Sequence, residues 1–297
     1  MSEERFADVG RGIELCYAEA GDPAGRPLLL VMGLGQQMIA WPDGFVDLLA
    51  ERGFRVITFD NRDAGRSTHA DYRPPPLMAI LRNRIPAESY NLGDLAQDTV
   101  GLLDVLGLER VHIAGVSMGG MIAQTVAARF PQRVRTLTSI MSTTGARKVG
   151  RPALSTWMLM GGRPPRTREE AVTRAVKMFR HIGSHGFPFD EDSLRARAGA
   201  AWDRDRSAAG LGRQLTAIFA SGDRTEEVRR ITAPTLVVHG DRDRMVHPSG
   251  GQVTHEAIAG SRLVVIPGLG HDCPAGVWPR LVDLIDEHAQ DSTHAPA

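Results

Sequence analysis

The sequence has no charge of one sign to spare: thirty-five Lys and Arg offset thirty-five Asp and Glu. No general attraction to phosphate backbones or anionic lipid follows, so neither nucleic acid nor a membrane is an expected partner. Long hydrophobic runs are missing too. The strongest, Leu28 to Met32, falls far short of the ~20 residues a spanning helix needs. The opening Met1-Ser2-Glu3-Glu4-Arg5 has no apolar core of the signal-peptide kind, which makes a cytoplasmic protein the expectation. Cysteine is scarce: Cys16 and Cys273 stand near opposite ends and are read as unpaired, structural thiols. Cys273 lies two residues from His271, so alkylating it would obstruct that neighbourhood without the thiol being catalytic. No H-E-x-x-H and no clustered His/Cys spacing occurs, and no metal is assigned.

What remains is the composition of a folded domain. With 42% hydrophobic residues in 297, the chain can bury a sizeable core. Apolar runs of strand length fall at Ile13–Ala18, Leu28–Met32, Arg55–Phe59, Val111–Ala114, Thr136–Ile140, Thr235–His239 and Leu263–Ile266. Between them lie helix-like segments at Phe45–Arg52, Leu92–Leu106, Gly119–Arg129, Ser249–Ala259 and Trp278–Ala289. This alternation predicts an α/β protein with a mainly parallel sheet wrapped by helices. In such sheets sites gather beyond the carboxyl ends of the strands.

One stretch breaks the rhythm. From Ser142 to Thr216 no apolar β-run appears, while Pro152, Gly161-Gly162 and Pro164-Pro165 punctuate helix-like segments. We read residues 142–216 as a helical cap inserted into a core of residues 1–141 and 217–297. Pro74-Pro75-Pro76 with Leu77–Arg84 is a smaller excursion, a candidate second wall of the pocket. Arg147, Lys148, Arg151, Arg163, Arg166 and Arg168 are read as a solvated face. The polar tail Gln290–Ala297 is expected to fray.

Three motifs carry chemistry. Gly115-Val116-Ser117-Met118-Gly119 matches G-x-S-x-G between a strand run and a helix-compatible segment, which holds a nucleophilic serine on a sharp turn. A hydroxyl needs a base, and among ten histidines the best placed is His271, in Gly268-Leu269-Gly270-His271 after the last strand run. His239 lies inside a strand run and reads as packed. The imidazole in turn needs a carboxylate. Asp241 and Asp243, in His239-Gly240-Asp241-Arg242-Asp243, are both candidates; Asp243 is preferred, with Asp241 shaping the turn. For the oxyanion, the backbone N–H of Met118 and of Leu34, in Met32-Gly33-Leu34-Gly35, are the candidate donors.

These motifs, together with the block Phe59–Ser67 and His185–Asp190, resemble the α/β-hydrolase-fold enzymes, and within them bacterial esterases related to aclacinomycin methylesterase. The resemblance implies an eight-stranded, mostly parallel sheet with an inserted cap, and hydrolysis of small-molecule carboxylic esters without a cofactor. It places nucleophile, acid and base at Ser117, Asp243 and His271, and the oxyanion donors at Leu34 and Met118. One departure stands out: many relatives carry His-Gly before the oxyanion residue, where this chain has Met32-Gly33. The charged block Asp60–Ser67 is read as support for the active-site loops. Lactone hydrolysis and hydrolysis of a carbon–carbon bond use the same triad, and a ligand receptor on a hydrolase scaffold would retain it. Trp157, Met158, Met160, Phe179 and Trp202 either line the pocket or pack within the cap. The sequence does not disclose the natural substrate or the oligomeric state.

Overall fold

The computed structural model describes residues 3–82 and 84–291. Eight strands form one sheet: β1 (Arg5–Asp8), β2 (Glu14–Ala20), β3 (Arg26–Val31), β4 (Phe54–Phe59), β5 (Val111–Val116), β6 (Val134–Ile140), β7 (Thr235–Gly240) and β8 (Arg262–Ile266). Their spatial order is β1-β2-β4-β3-β5-β6-β7-β8. β1 and β2 are antiparallel to their neighbours; β3 to β8 run parallel. The helices are α1 (Asp43–Glu51), α2 (Leu77–Leu81), α3 (Leu92–Val105), α4 (Met118–Arg129), α5 (Leu154–Met160), α6 (Arg168–Ile182), α7 (Glu191–Arg204), α8 (Ala209–Ser221), α9 (Thr225–Val228), α10 (Ser249–Ala257) and α11 (Trp278–Asp291).

All seven sequence-read strand runs are strands. The eighth, β1, carries one buried residue in four, so an edge strand of this kind leaves no apolar run to find. Parallel strands are covered on both faces, and each side chain chooses its layer by parity. Leu29 and Val31 enter the layer shared with Leu95, Ile122 and Val126 of α3 and α4. Leu28 and Leu30 enter the opposite layer with Phe45 and Leu49 of α1 and with Leu281 and Ile285 of α11. α3 starts at Asn91, whose side chain accepts from the Gly93 N–H at 2.7 Å, while Asp94 accepts from the Asn91 N–H at 2.8 Å, a reciprocal cap. The last helix continues through Gln290 and Asp291, where fraying was expected; residues 292–297 lie outside the described residues.

Helices α5 to α9 fill the connection between β6 and β7. α6 and α7 begin at side-chain caps: Thr167 accepts from the Glu170 N–H at 3.2 Å, and Asp190 from the Ser193 N–H at 2.9 Å. Arg163 pairs with Glu170 and Arg168 with Asp203 on the exposed side of this segment. Such exposed pairs add little stability and behave as a solvated face. Among the described residues, no helix is long and apolar enough to cross a membrane.

Candidate active site

The carboxyl edge of the sheet brings the motif loops together. Backbone bonds stitch this edge: the Ser117 N–H donates to Ile140 O at 2.9 Å, Met141 N–H to Val238 O at 2.8 Å, and Arg242 N–H to Leu269 O at 2.9 Å. The loops after β5, β6, β7 and β8 are thereby held in one row.

Ser117 sits between β5 and α4 with φ 57° and ψ −121°, a left-handed backbone that a residue with a Cβ adopts only when its surroundings force it. The force is visible at the flanking glycines. A Cβ on Gly115 would lie 2.2 Å from the Gly119 carbonyl, and one on Gly119 would lie 2.0 Å from the Val31 carbonyl. The motif spacing is therefore a packing requirement: only residues without side chains let α4 start this close to β3 and β5. Ser117 faces the turn after β3, where a Cβ on Gly33 would lie 3.2 Å from the Ser117 Cβ and 3.7 Å from its hydroxyl.

The two N–H groups that the sequence offers as candidate oxyanion donors lie on neighbouring turns. Met118 opens α4, so its N–H has no intrahelical acceptor. The Leu34 N–H meets no protein acceptor among the described residues, while Gly35 N–H donates to Gln214 Oε1 at 2.8 Å and Gln36 N–H to Gly33 O at 3.1 Å. Met32 is buried, and its carbonyl accepts from Asn61 Nδ2 at 3.0 Å. Asn61 is thus one anchor of this turn.

Asp243 and His271 meet. His271 Nδ1 lies 2.7 Å from Asp243 Oδ2, and Asp243 Oδ1 accepts from the N–H groups of Met245 and Val246 at 2.8 Å each. Burial alone would push the Asp243 carboxyl up, but His271 and His239 outweigh it and hold the group well below the usual carboxylate range. Asp241 is exposed and instead accepts from the Gly268 N–H at 2.7 Å, tying the two loops together. The Ser117 hydroxyl makes no hydrogen bond to the ring of His271. The structure brings the candidate base and acid into contact and leaves the hydroxyl–imidazole contact open.

The base loop leans on the segment between β6 and β7. His271 N–H donates to Ile182 O at 2.7 Å, Gly270 N–H to Ser184 Oγ at 2.9 Å, and Ser184 donates from both its N–H and its hydroxyl to Asp272 Oδ1. Burial pushes the Asp272 carboxyl up, against the lowering effect of the Ser184 bonds. On the other side the charged block after β4 reaches the same segment. Asp60 pairs with Arg204 of α7 at 2.8 Å. Asp63 is buried against Arg213 of α8, whose Nε and Nη2 donate at 2.6–2.9 Å, and accepts further from the Tyr90 hydroxyl at 2.8 Å. These partners are separated by about 140 to 150 residues, and no local pattern could have announced them.

The remaining sequence candidates are placed elsewhere. Cys16 and Cys273 are free, and burial pushes each thiol up to about 12, so little thiolate is available at neutral pH. His112 is buried with its Nδ1 2.8 Å from Thr136 Oγ1. Met158 is exposed and borders a groove between α5 and α6 on the outer surface. Among the described residues no group of three or more His, Cys, Asp or Glu side chains could hold a metal ion.

With the geometry in place, comparison with known proteins gives the class. The family described as the alpha/beta hydrolase fold matches residues 26–273, and the chain belongs to that family. It is 31% identical to the rhodomycin D methylesterase DauP of Streptomyces sp. (strain C5), covering 92% of this chain and 94% of that protein. Rhodomycin D methylesterase DnrP of Streptomyces peucetius matches with the same identity and coverage. The resemblance to esterases of the aclacinomycin methylesterase group therefore holds along nearly the whole chain. Among solved structures, the esterase RhEst1 from Rhodococcus sp. ECU1013 superposes with a TM-score of 0.76 at 21% identity, covering 97% of this chain and 98% of that one. The enol-lactonase from Burkholderia xenovorans LB400 has a TM-score of 0.72 at 23% identity, covering 98% of this chain and 100% of that one. At these identities the two structures speak for the fold.

Proposed function

We propose that this chain is a serine esterase that cleaves carboxylic esters of small molecules, methyl esters among them, through an acyl-enzyme. Ser117 is the nucleophile, His271 the base and Asp243 its acid partner; Leu34 and Met118 supply the oxyanion N–H groups. The observation that carries this reading is the 2.7 Å contact of His271 Nδ1 with Asp243 Oδ2, on the same edge as a serine held in a left-handed turn. A carboxylate on Nδ1 fixes the tautomer that leaves Nε2 free to take a proton. The whole-length match to two methylesterases supports the ester as substrate.

In this mechanism Ser117 attacks the ester carbonyl while His271 Nε2 takes the hydroxyl proton. The carbonyl oxygen gathers negative charge against the Leu34 and Met118 N–H groups. The imidazolium then protonates the departing alcohol, and water, activated by the same ring, cleaves the acyl-enzyme. The open hydroxyl–imidazole contact closes with substrate, as such contacts commonly tighten only in the reacting complex. Helices within residues 142–216 act as a cap over the site, fastened by Asp60–Arg204 and Asp63–Arg213 and by the Ser184–Asp272 bonds. No cofactor is needed, and the protein works in the cytoplasm.

The test is turnover. Steady hydrolysis of a short-chain nitrophenyl ester, abolished by a fluorophosphonate that labels Ser117, is the expected result. Stoichiometric labelling without turnover would instead indicate a ligand receptor. A panel of short esters, aromatic methyl esters and lactones then sets the substrate class; faster cleavage of lactones than of open esters would overturn the open-chain assignment.

A further inference from the structure

A second imidazole lies against the candidate acid. His239, the penultimate residue of β7, is fully buried. Its Nε2 is 2.8 Å from the Val246 carbonyl and 3.4 Å from Asp243 Oδ2. A carbonyl oxygen only accepts, so Nε2 carries the hydrogen and shares it between these two oxygens. The other nitrogen, Nδ1, is buried with no partner. It faces Gly251 of α10, where a Cβ would lie 2.5 Å from Nδ1 and 3.1 Å from the ring's own Cβ. The ring therefore occupies a slot that exists because residue 251 has no side chain. An orphaned nitrogen deep in a protein is costly, and here it accompanies a ring whose other nitrogen is engaged.

The contacts form a closed clip. His239 holds the Val246 carbonyl; the Val246 N–H and the Met245 N–H hold Asp243 Oδ1 at 2.8 Å each. Oδ2 is left to His271 at 2.7 Å, with His239 Nε2 on its flank. Rotating or withdrawing the His239 ring frees the 243–246 turn, and with it the carboxylate that orients the base.

We propose that His239, in its Nε2–H form, is a positioning residue that fixes Asp243 for its work on His271. This rests on the triad reading above, and the tests separate the two. In His239→Gln the side-chain amide nitrogen falls near the position of Nε2; in His239→Asn it falls near Nδ1 and cannot reach Val246 O. With a nitrophenyl ester, His239→Asn is expected to lower kcat on the order of 10- to 100-fold, the cost of an ångström-scale misplacement, with KM within about twofold of wild type. His239→Gln should recover most of that loss, and Gly251→Ala, which pushes on the ring from the opposite side, should reproduce it. A histidine-selective ¹⁵N spectrum of the wild-type protein reads the tautomer without any assay and should show Nε2–H for His239.

Wild-type kcat in His239→Asn, alongside a dead Ser117→Ala, would overturn the positioning role and leave the triad standing. An active Ser117→Ala would remove the triad reading itself. A spectrum with the hydrogen on Nδ1 would overturn the proposal whatever the kinetics, including where His239→Asn fails to fold.

Discussion

Asp63 and Asp243 are both buried carboxylates on loops beyond the carboxyl ends of parallel strands, at 2% and 4% exposure, yet their partners differ in kind. Asp63 faces the guanidinium of Arg213, which donates three bonds, and a tyrosine hydroxyl. None of these gives up its charge or proton near neutral pH, and the nearest imidazole, His69 with Nδ1 3.7 Å from Oδ1, makes no hydrogen bond to the carboxylate, so these bonds hold the turn in place. Asp243 anchors one oxygen on two backbone N–H groups and offers the other to an imidazole at 2.7 Å. An imidazole changes charge within the physiological range, and a carboxylate beside it can support a proton transfer. On the proposed reading, two loops with the same burial and the same residue type divide into a fastener and a piece of acid–base machinery. The partner's chemistry makes the division.

That contrast should break in different readouts. The largest effect is expected at the nucleophile: Ser117→Ala should lower kcat on the order of 10⁶-fold, roughly 8 kcal/mol of transition-state stabilisation, by analogy with serine proteases. Its melting temperature should stay the same or rise, since the mutation removes a strained functional side chain. Asp243→Asn should follow with a loss near 10⁴-fold, as the imidazole loses its tautomer. Asp241→Asn should lose much less; the reverse ranking would move the acid to residue 241.

The fastener should answer in stability. Arg213→Met leaves the Asp63 charge buried with only the Ala70 N–H and the Tyr90 hydroxyl donating to it, and a drop of about 3–5 kcal/mol in unfolding free energy is expected from denaturant melts. Pairing it with Asp63→Asn, which keeps the Tyr90 contact and removes the charge, should recover a large part. A double mutant as unstable as the sum of the singles would show that the two groups do not act as a pair.

A smaller effect sharpens the point that burial decides when a histidine titrates. Burial, helped by nearby Arg135 and Arg26, lowers His112 to about 4. Unfolded, it protonates near 6.5. Between those values the unfolded chain binds a proton that the folded one refuses, so stability falls as pH drops from about 6.5 towards 4. At pH 5 this costs about 2 kcal/mol relative to pH 7. His112→Asn, which keeps a donor near Thr136, should flatten the dependence of Tm on pH over that interval; an unchanged slope would mean His112 is not its source.

Much of the fold is legible from one physical fact. Strands covered on both faces are apolar at most positions, so β3, β5 and β7 announce themselves, and the loops of Leu34, Ser117 and Asp243 follow directly from them, while the His271 loop follows β8. The Gly-x-Ser-x-Gly spacing is legible because it encodes a clearance, the space that Gly115 and Gly119 leave around the turn. β1 is not, since a single buried residue makes no pattern. Nor are the ties between the core and helices α7 and α8. Asp60 and Asp63 read as a charged turn supporting the loops, but Arg204 and Arg213 carry no local signal, and only the fold brings the four together out of water. His239 reads as a packed strand histidine and is one, fully buried in β7; what the strand pattern does not disclose is its neighbour, Asp243 Oδ2 at 3.4 Å.

Activation of the Ser117 hydroxyl by the Asp243–His271 pair, as proposed, is open to test by a quenched reaction with nitrophenyl acetate. Peptide mass mapping should place one acetyl group per chain on the peptide carrying Ser117, and His271→Ala should abolish that label under the same conditions. Acetyl on a different residue, or undiminished labelling of Ser117 without the imidazole, would contradict it.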